Sequence, residues 1–126
     1  MHISQVGRVI VTVTDQERAV AFYVDTLGFE KRVDVPMGGD YRWIEVAPPG
    51  STATIAVVLP PPGGSAGDKE TGITLDTTDI EADYAELQGK GVDVDAEISR
   101  MGDPVPPMFW LRDPDKNSLL IVEARS

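Results

Sequence analysis

Cysteine is absent from the 126 residues, and histidine occurs once, at His2. The first absence excludes disulfide frameworks, thiolate metal sites and cysteine nucleophiles, and the second leaves almost no imidazole chemistry. Basic residues are scarce as well: 11 Lys and Arg face 21 Asp and Glu, a formal charge of −10. That field repels phosphate backbones and anionic membrane surfaces, so no nucleic-acid partner is expected. The acidic surface reads first as a solubility device and second as an attractor of cationic ligands. No apolar run approaches the roughly 18 residues of a membrane span, so no membrane partner is expected either. The first residues lack the basic-then-apolar pattern of a secretory leader, which points to a cytoplasmic protein. With 41% hydrophobic content, the chain can fill one core without a disulfide or a structural metal.

The chain does contain an internal duplication. The β-branched run Arg8-Val9-Ile10-Val11-Thr12-Val13 leads into Thr14-Asp15-Gln16-Glu17, a strand followed by a capping-box pattern with Thr14 as the cap. At an offset of 64 residues, Gly72-Ile73-Thr74-Leu75-Asp76-Thr77 leads into Thr78-Asp79-Ile80-Glu81. Helical spacing follows each cap, with Val20, Tyr23 and Leu27 in the first copy and Ile80, Tyr84 and Leu87 in the second. Gly28 and Gly91 stop these helices. Polar-apolar segments at about 29–35 and 92–98 come next. Then each copy has a hairpin, about 41–47 with 53–59 and about 108–112 with 118–124, around turns rich in Pro, Gly, Asp and Asn. The expected organisation is one domain over 1–126: module 1 at about 5–59, a Pro/Gly linker at about 60–71, and module 2 at about 72–124.

Period-two sorting separates two faces of each strand. Val9, Val11 and Val13, with Ile44, Val46, Ile55, Val57, Phe109, Leu111, Leu119 and Ile121, form the apolar set expected beneath helices. The opposite face mixes Arg8, Thr12, Tyr41, Trp43 and Glu45 from the first copy with Thr74, Asp76, Met108, Trp110 and Arg112 from the second. A closed core does not need Arg, Glu and Asp beside two Trp, whereas ligand grooves combine large apolar walls with a few polar groups. These ten residues are the candidate ligand contacts. The plainer reading has the tryptophans filling the middle of a curved sheet and the carboxylates solvated or paired, with Arg8 or Arg112 as partners.

Val9 to Asp15 followed by Ala21-Phe22-Tyr23 and Leu27-Gly28-Phe29, together with Phe109-Trp110-Leu111-Arg112-Asp113-Pro114-Asp115-Lys116-Asn117, resembles the vicinal oxygen chelate superfamily. That family includes glyoxalase I, extradiol dioxygenases, fosfomycin-modifying enzymes and bleomycin-binding resistance proteins. Lys116 stands where the family's strand-DPxGN-strand signature usually has glycine. The resemblance implies an α+β fold: two βαβββ modules in a curved eight-stranded mixed sheet, with helices on its outer face. It also implies a homodimer. Carried over position by position, the ligands of metal-dependent members fall on Arg8, approximately Ala56, Gly72 and Leu120. None of these side chains binds a divalent ion, so no metal and no cofactor are expected.

The expected function is therefore metal-independent binding of a small organic molecule, an antibiotic or aromatic metabolite, in a concave groove. The loops at 36–40 and 101–107 would border it. The alternative is a glyoxalase-like lyase or isomerase, with Glu45 or Asp76 as base and Arg8 stabilising an enolate-like oxygen. The binding reading assigns no catalytic residue, and the alternative leaves the base open between Glu45 and Asp76. A third possibility is an accessory protein with a vestigial groove.

Overall fold

The β-branched run at the start of the duplication forms β1, Arg8–Thr12. A short helix follows, α1 (Gln16–Val20), which continues as a π-helical turn over Ala21–Thr26. Three strands complete the first unit: β2 (Glu30–Gly38), β3 (Tyr41–Ala47) and β4 (Thr54–Val58). The second unit repeats the order with β5 (Glu70–Thr77), α2 (Ile80–Gly89), β6 (Asp93–Val94), β7 (Met108–Arg112) and β8 (Ser118–Glu123). The computed structural model describes residues 1–124; residues 125 and 126 of the expected domain lie outside the described residues. The chain divides into two compact units, Met1–Gly67 and the segment from Asp68 onward. The class is α+β, with one βαβββ module and one four-stranded mixed sheet in each unit.

The strand order is β1-β4-β3-β2 in the first sheet and β5-β8-β7-β6 in the second. In each, the first and last strands of the module pair in parallel and the remaining neighbours antiparallel. The second parallel pair carries a bulge. Between Glu70↔Ser118 and Thr74↔Leu120, β5 runs through two residues more than β8, with Gly72 at φ 73°. The expected linker at about 60–71 thus ends earlier, because Glu70 and Thr71 already belong to β5.

Helix starts differ from the expected boxes by one residue. The caps are Asp15, whose Oδ1 accepts from the Arg18 amide at 3.1 Å, and Asp79, which accepts from the Ala82 amide at 3.1 Å. A short carboxylate on extended backbone reaches the third amide of the helix and also complements the dipole, so it displaces the neighbouring threonine. Thr14 instead accepts from Arg18 Nη2 at 3.0 Å. The first helix then widens: Leu27 N donates to Phe22 O at 3.0 Å, a five-residue step. Gly28 and Gly91 end the two helices at φ 79° and 78°, a conformation that glycine adopts without a Cβ penalty.

Each helix covers one sheet face. Val11, Val13, Tyr23, Ile44, Val46, Ile55 and Val57 are buried in the first unit; Ile80, Leu87, Phe109, Leu111, Leu119 and Ile121 are buried in the second. Buried Gln16 adds a polar brace, since its Nε2 donates to Arg42 O at 2.6 Å and Val57 O at 3.0 Å while its Oε1 accepts from Arg42 N at 3.2 Å. Arg42 also grips Asp34 through two donors, at 2.9 and 2.7 Å, and pairs with Glu17. Those bonds hold the Asp34 carboxyl well below, and the Arg42 guanidinium above, their ordinary values.

The turn between β7 and β8 is built around two buried polar residues. Asp113 Oδ1 accepts from the amides of Asp115 and Asn117, each at 2.9 Å, and Asn117 Nδ2 donates to Asp113 Oδ2 at 3.0 Å. Lys116 occupies the left-handed region at φ 65°, which disfavours a residue with a Cβ. Replacing Asn117 by Ala removes the Nδ2 donor to the buried Asp113 Oδ2 while the two amide bonds to Oδ1 remain, and we expect a loss of about 2 kcal/mol in urea unfolding. Lys116→Gly should shift the midpoint the other way, by less than about 1 kcal/mol, because relief of the left-handed penalty outweighs the added chain entropy.

Candidate functional site

On the helix-free face of the first sheet, strand register gathers the polar candidates. Ile10, Ala56 and Glu45 lie in one row across β1, β4 and β3, and Arg8 opposes Thr54 in the adjoining row. Glu45 is buried (8% exposed), and its carboxylate accepts three hydrogen bonds. Thr54 Oγ1 donates to its Oε1 at 2.6 Å; Trp43 Nε1 and Arg8 Nε both donate to its Oε2, at 2.8 and 3.0 Å. The Thr54 bond contributes most to holding the Glu45 carboxyl below its ordinary value, with Trp43 and Arg8 adding to it and burial opposing it. Arg8, Trp43 and Glu45 are thus one cluster, which Thr54 completes. Thr12 and Tyr41 stand apart from it: Thr12 Oγ1 donates to Ser65 O at 3.4 Å, and half-buried Tyr41 opens β3 opposite Gly38.

The corresponding face of the second sheet is a grid of three rows. Asp76, Val122 and Met108 form the first, Thr74, Leu120 and Trp110 the second, and Glu70, Ser118, Arg112 and Asp93 the third. Asp76 and Thr74 are exposed, and Met108, Trp110 and Arg112 are half-buried. Arg112 does not pair with Asp76. Its Nη2 donates to Asp95 Oδ1 at 2.7 Å, and its Nη1 lies 3.6 Å from Asp93 Oδ1. The antiparallel register of β6 and β7 puts Asp93 directly opposite Arg112, and Lys116 Nζ reaches the same Asp93 at 3.1 Å. A cavity of about 550 Å³ opens on this face, lined by Asp68, Glu70, Asp93, Trp110, Arg112, Lys116 and Ser118. Of these, only Trp110 and Arg112 are among the sequence-derived candidates. Asp68, Glu70, Asp93 and Lys116 were missed because their convergence depends on the β6–β7 register and the β5 bulge.

The positions that carry metal ligands in metal-dependent relatives do not fit a metal here. Arg8 is a cation already engaged by Glu45, Ala56 and Leu120 carry hydrocarbon, and Gly72 sits on the bulge with no side chain. Zinc, nickel or iron needs imidazole nitrogen or carboxylate oxygen converging on one point. Among the described residues, no group of three His, Cys, Asp or Glu side chains is placed to hold an ion.

Residues 5–121 match the model of the Glyoxalase/Bleomycin resistance protein/Dioxygenase superfamily, and the chain belongs to that superfamily. Its relatives include the Bacillus subtilis (strain 168) protein YetH, 30% identical, in an alignment covering 96% of this chain and 99% of YetH. Among solved structures, TnmS3, an antibiotic binding protein from Streptomyces sp. CB03234, is 37% identical with a TM-score of 0.85 over 99% of both chains. A member of the superfamily from Sphaerobacter thermophilus DSM 20745 is 36% identical with a TM-score of 0.89, covering 98% of this chain and 100% of the other. No helix among the described residues is long and apolar enough to cross a membrane.

The Glu45 cluster carries a pH signature. In the unfolded chain Glu45 takes up a proton near the ordinary value of 4.5, whereas in the folded chain it does so at lower pH. Its contribution is therefore complete above 4.5 and is lost as pH falls through the folded value. Glu45→Gln should lower stability by about 1–3 kcal/mol at neutral pH. Melting curves of the two proteins should converge as the buffer is acidified below 4.5. A gap independent of pH would show that the carboxylate's charge is not what the cluster uses.

Proposed function

We propose that this chain is a metal-independent member of the superfamily that binds a small organic molecule, an antibiotic or aromatic metabolite, against its helix-free sheet faces. Trp43 and Trp110 would act as stacking walls. Arg8, Thr12, Tyr41 and Glu45 supply the polar contacts of the first unit, and Thr74, Asp76, Met108 and Arg112 those of the second. The observation that carries this reading is the identity of the four inherited ligand positions, Arg8, Ala56, Gly72 and Leu120, beside faces that keep both tryptophans. The likeness to an antibiotic binding protein at 37% identity supports it. Stacking on a planar ligand would contribute on the order of 1 kcal/mol per ring pair beyond area burial.

The lyase or isomerase alternative asks Glu45 to act as a base. With three donors on its oxygens and a depressed pKa, Glu45 has little affinity for a substrate proton. That leaves Asp76 as the carboxylate for such a role, exposed to water where a positioned base gains least.

Tryptophan fluorescence titrated with a panel of planar antibiotics should change saturably for at least one compound, equally with and without a chelator. A flat response to every compound would remove the reading, and binding that vanishes with chelator and returns with zinc would replace it with a metal-dependent one. We also propose a homodimer, as the family resemblance implies. Sedimentation velocity should then give twice the 13.6 kDa of one chain.

A further inference from the structure

The two tryptophans are not in equivalent chemical states. Trp43 spends its indole N–H on Glu45 at 2.8 Å, whereas the Trp110 indole N–H has no partner among the described residues. Trp110 lines the cavity of about 550 Å³ on the second sheet, and the charges around that cavity do not cancel. Arg112 is engaged by Asp95 and Asp93, and Lys116 by Asp93. Both cations of the lining are therefore neutralised from within. Asp68 and Glu70 line the same cavity with no ion pair among the described residues, and both are exposed. An aromatic wall thus shares its cavity with two carboxylates that have no ion pair among the described residues, in a protein whose formal charge is −10.

We infer that this cavity takes a planar organic cation, its ring stacked on the Trp110 indole and its charge held by Asp68 and Glu70. The inference rests on the small-molecule-binding reading above and adds the charge class of the ligand. Three physical effects favour it together. The face of an indole attracts cations more strongly than the other aromatic side chains do. The two carboxylates contribute a Coulomb attraction that no ion pair among the described residues offsets. The net charge of the chain raises the local concentration of cations and lowers that of anions. A planar anion would meet Asp68, Glu70 and Asp93 with only already-paired cations to greet it, and a neutral ring would gain the stacking alone.

Three probes of nearly one shape separate these cases: 10-methylacridinium as the cation, acridine in weakly alkaline buffer as its neutral counterpart, and 9-acridinecarboxylate as the anion. In nitrogen-15-labelled protein the two indole N–H signals report on Trp43 and Trp110 separately. The cation should shift the Trp110 signal saturably and bind at least about tenfold tighter than acridine, with an affinity that falls as salt is added. Asp68→Asn and Glu70→Gln should each weaken the cation by roughly threefold to tenfold and leave acridine unchanged. Both variants suit their sites, since asparagine tolerates the φ of 56° at residue 68 and Glu70 is exposed on the strand it opens. Equal binding of all three probes, or variants that bind the cation as the parent does, overturns the cation inference alone. Silence of both indoles towards the three probes and the antibiotic panel overturns the binding reading as well.

Discussion

The parallel pairing of the first and last strands of each module, β1 with β4 and β5 with β8, is the constraint on which the remaining structure depends. It joins segments that are distant in sequence, Arg8 with Thr54 and Thr74 with Leu120, and it cannot be closed by a hairpin. A crossover is required, and here it carries a helix and two antiparallel strands, which gives the βαβββ order. Once that pairing is set, strand alternation puts Val11, Val57, Leu75 and Ile121 towards the helices and Arg8, Ile10, Thr74 and Asp76 away from them. The candidate faces are thus what remains after the helices take one side of each sheet.

That division explains which features the sequence alone revealed. The hairpin strands were legible nearly to the residue, because β3, β4, β7 and β8 are short runs rich in apolar residues joined by turns dense in Pro, Gly, Asp and Asn. The stop glycines were legible for the same reason, since left-handed backbone selects glycine. Features set by contacts between distant side chains were not. The polar-apolar stretch at 92–98 shortens to Asp93–Val94 because the Asp95 carboxylate accepts the Trp110 amide at 3.0 Å, and a side chain takes a place the strand ladder would otherwise use. The five-residue step in the first helix and the brace from Gln16 leave no mark in hydrophobic periodicity.

The candidate site divides along the same line. Its membership could be sorted by strand face, so Trp43, Glu45, Trp110 and Arg112 were identifiable as occupants of the helix-free side. Their partners depend on register, which residue types do not encode. Glu45 finds Arg8 because β1, β4 and β3 align, whereas Arg112 finds Asp93 and Asp95 because β6 lies beside β7. Two carboxylates that read alike in sequence, Glu45 and Asp76, end in opposite situations, one buried under three donors and the other exposed.

The duplication supplies one scaffold twice, and the two copies have filled its centre with different chemistry. Glu45 opposes Ala56 in the first unit, and Trp110 opposes Leu120 at the equivalent crossing in the second. A carboxylate at that crossing is buried and costs several kcal/mol to desolvate unless it is hydrogen-bonded, so the first unit surrounds it with Thr54, Trp43 and Arg8. Meeting that requirement takes up Thr54 Oγ1, Trp43 Nε1 and Arg8 Nε and fixes the orientation of the first unit's indole. An indole at the same crossing imposes no such demand: the Trp110 N–H has no partner among the described residues, while Arg112 turns to Asp93 and Asp95. The Glu45 carboxylate of the first face is therefore satisfied from within. The second holds an indole N–H and two carboxylates, Asp68 and Glu70, without a hydrogen-bond or ion-pair partner for those groups among the described residues, and such groups beside an open cavity are where a ligand has most to gain.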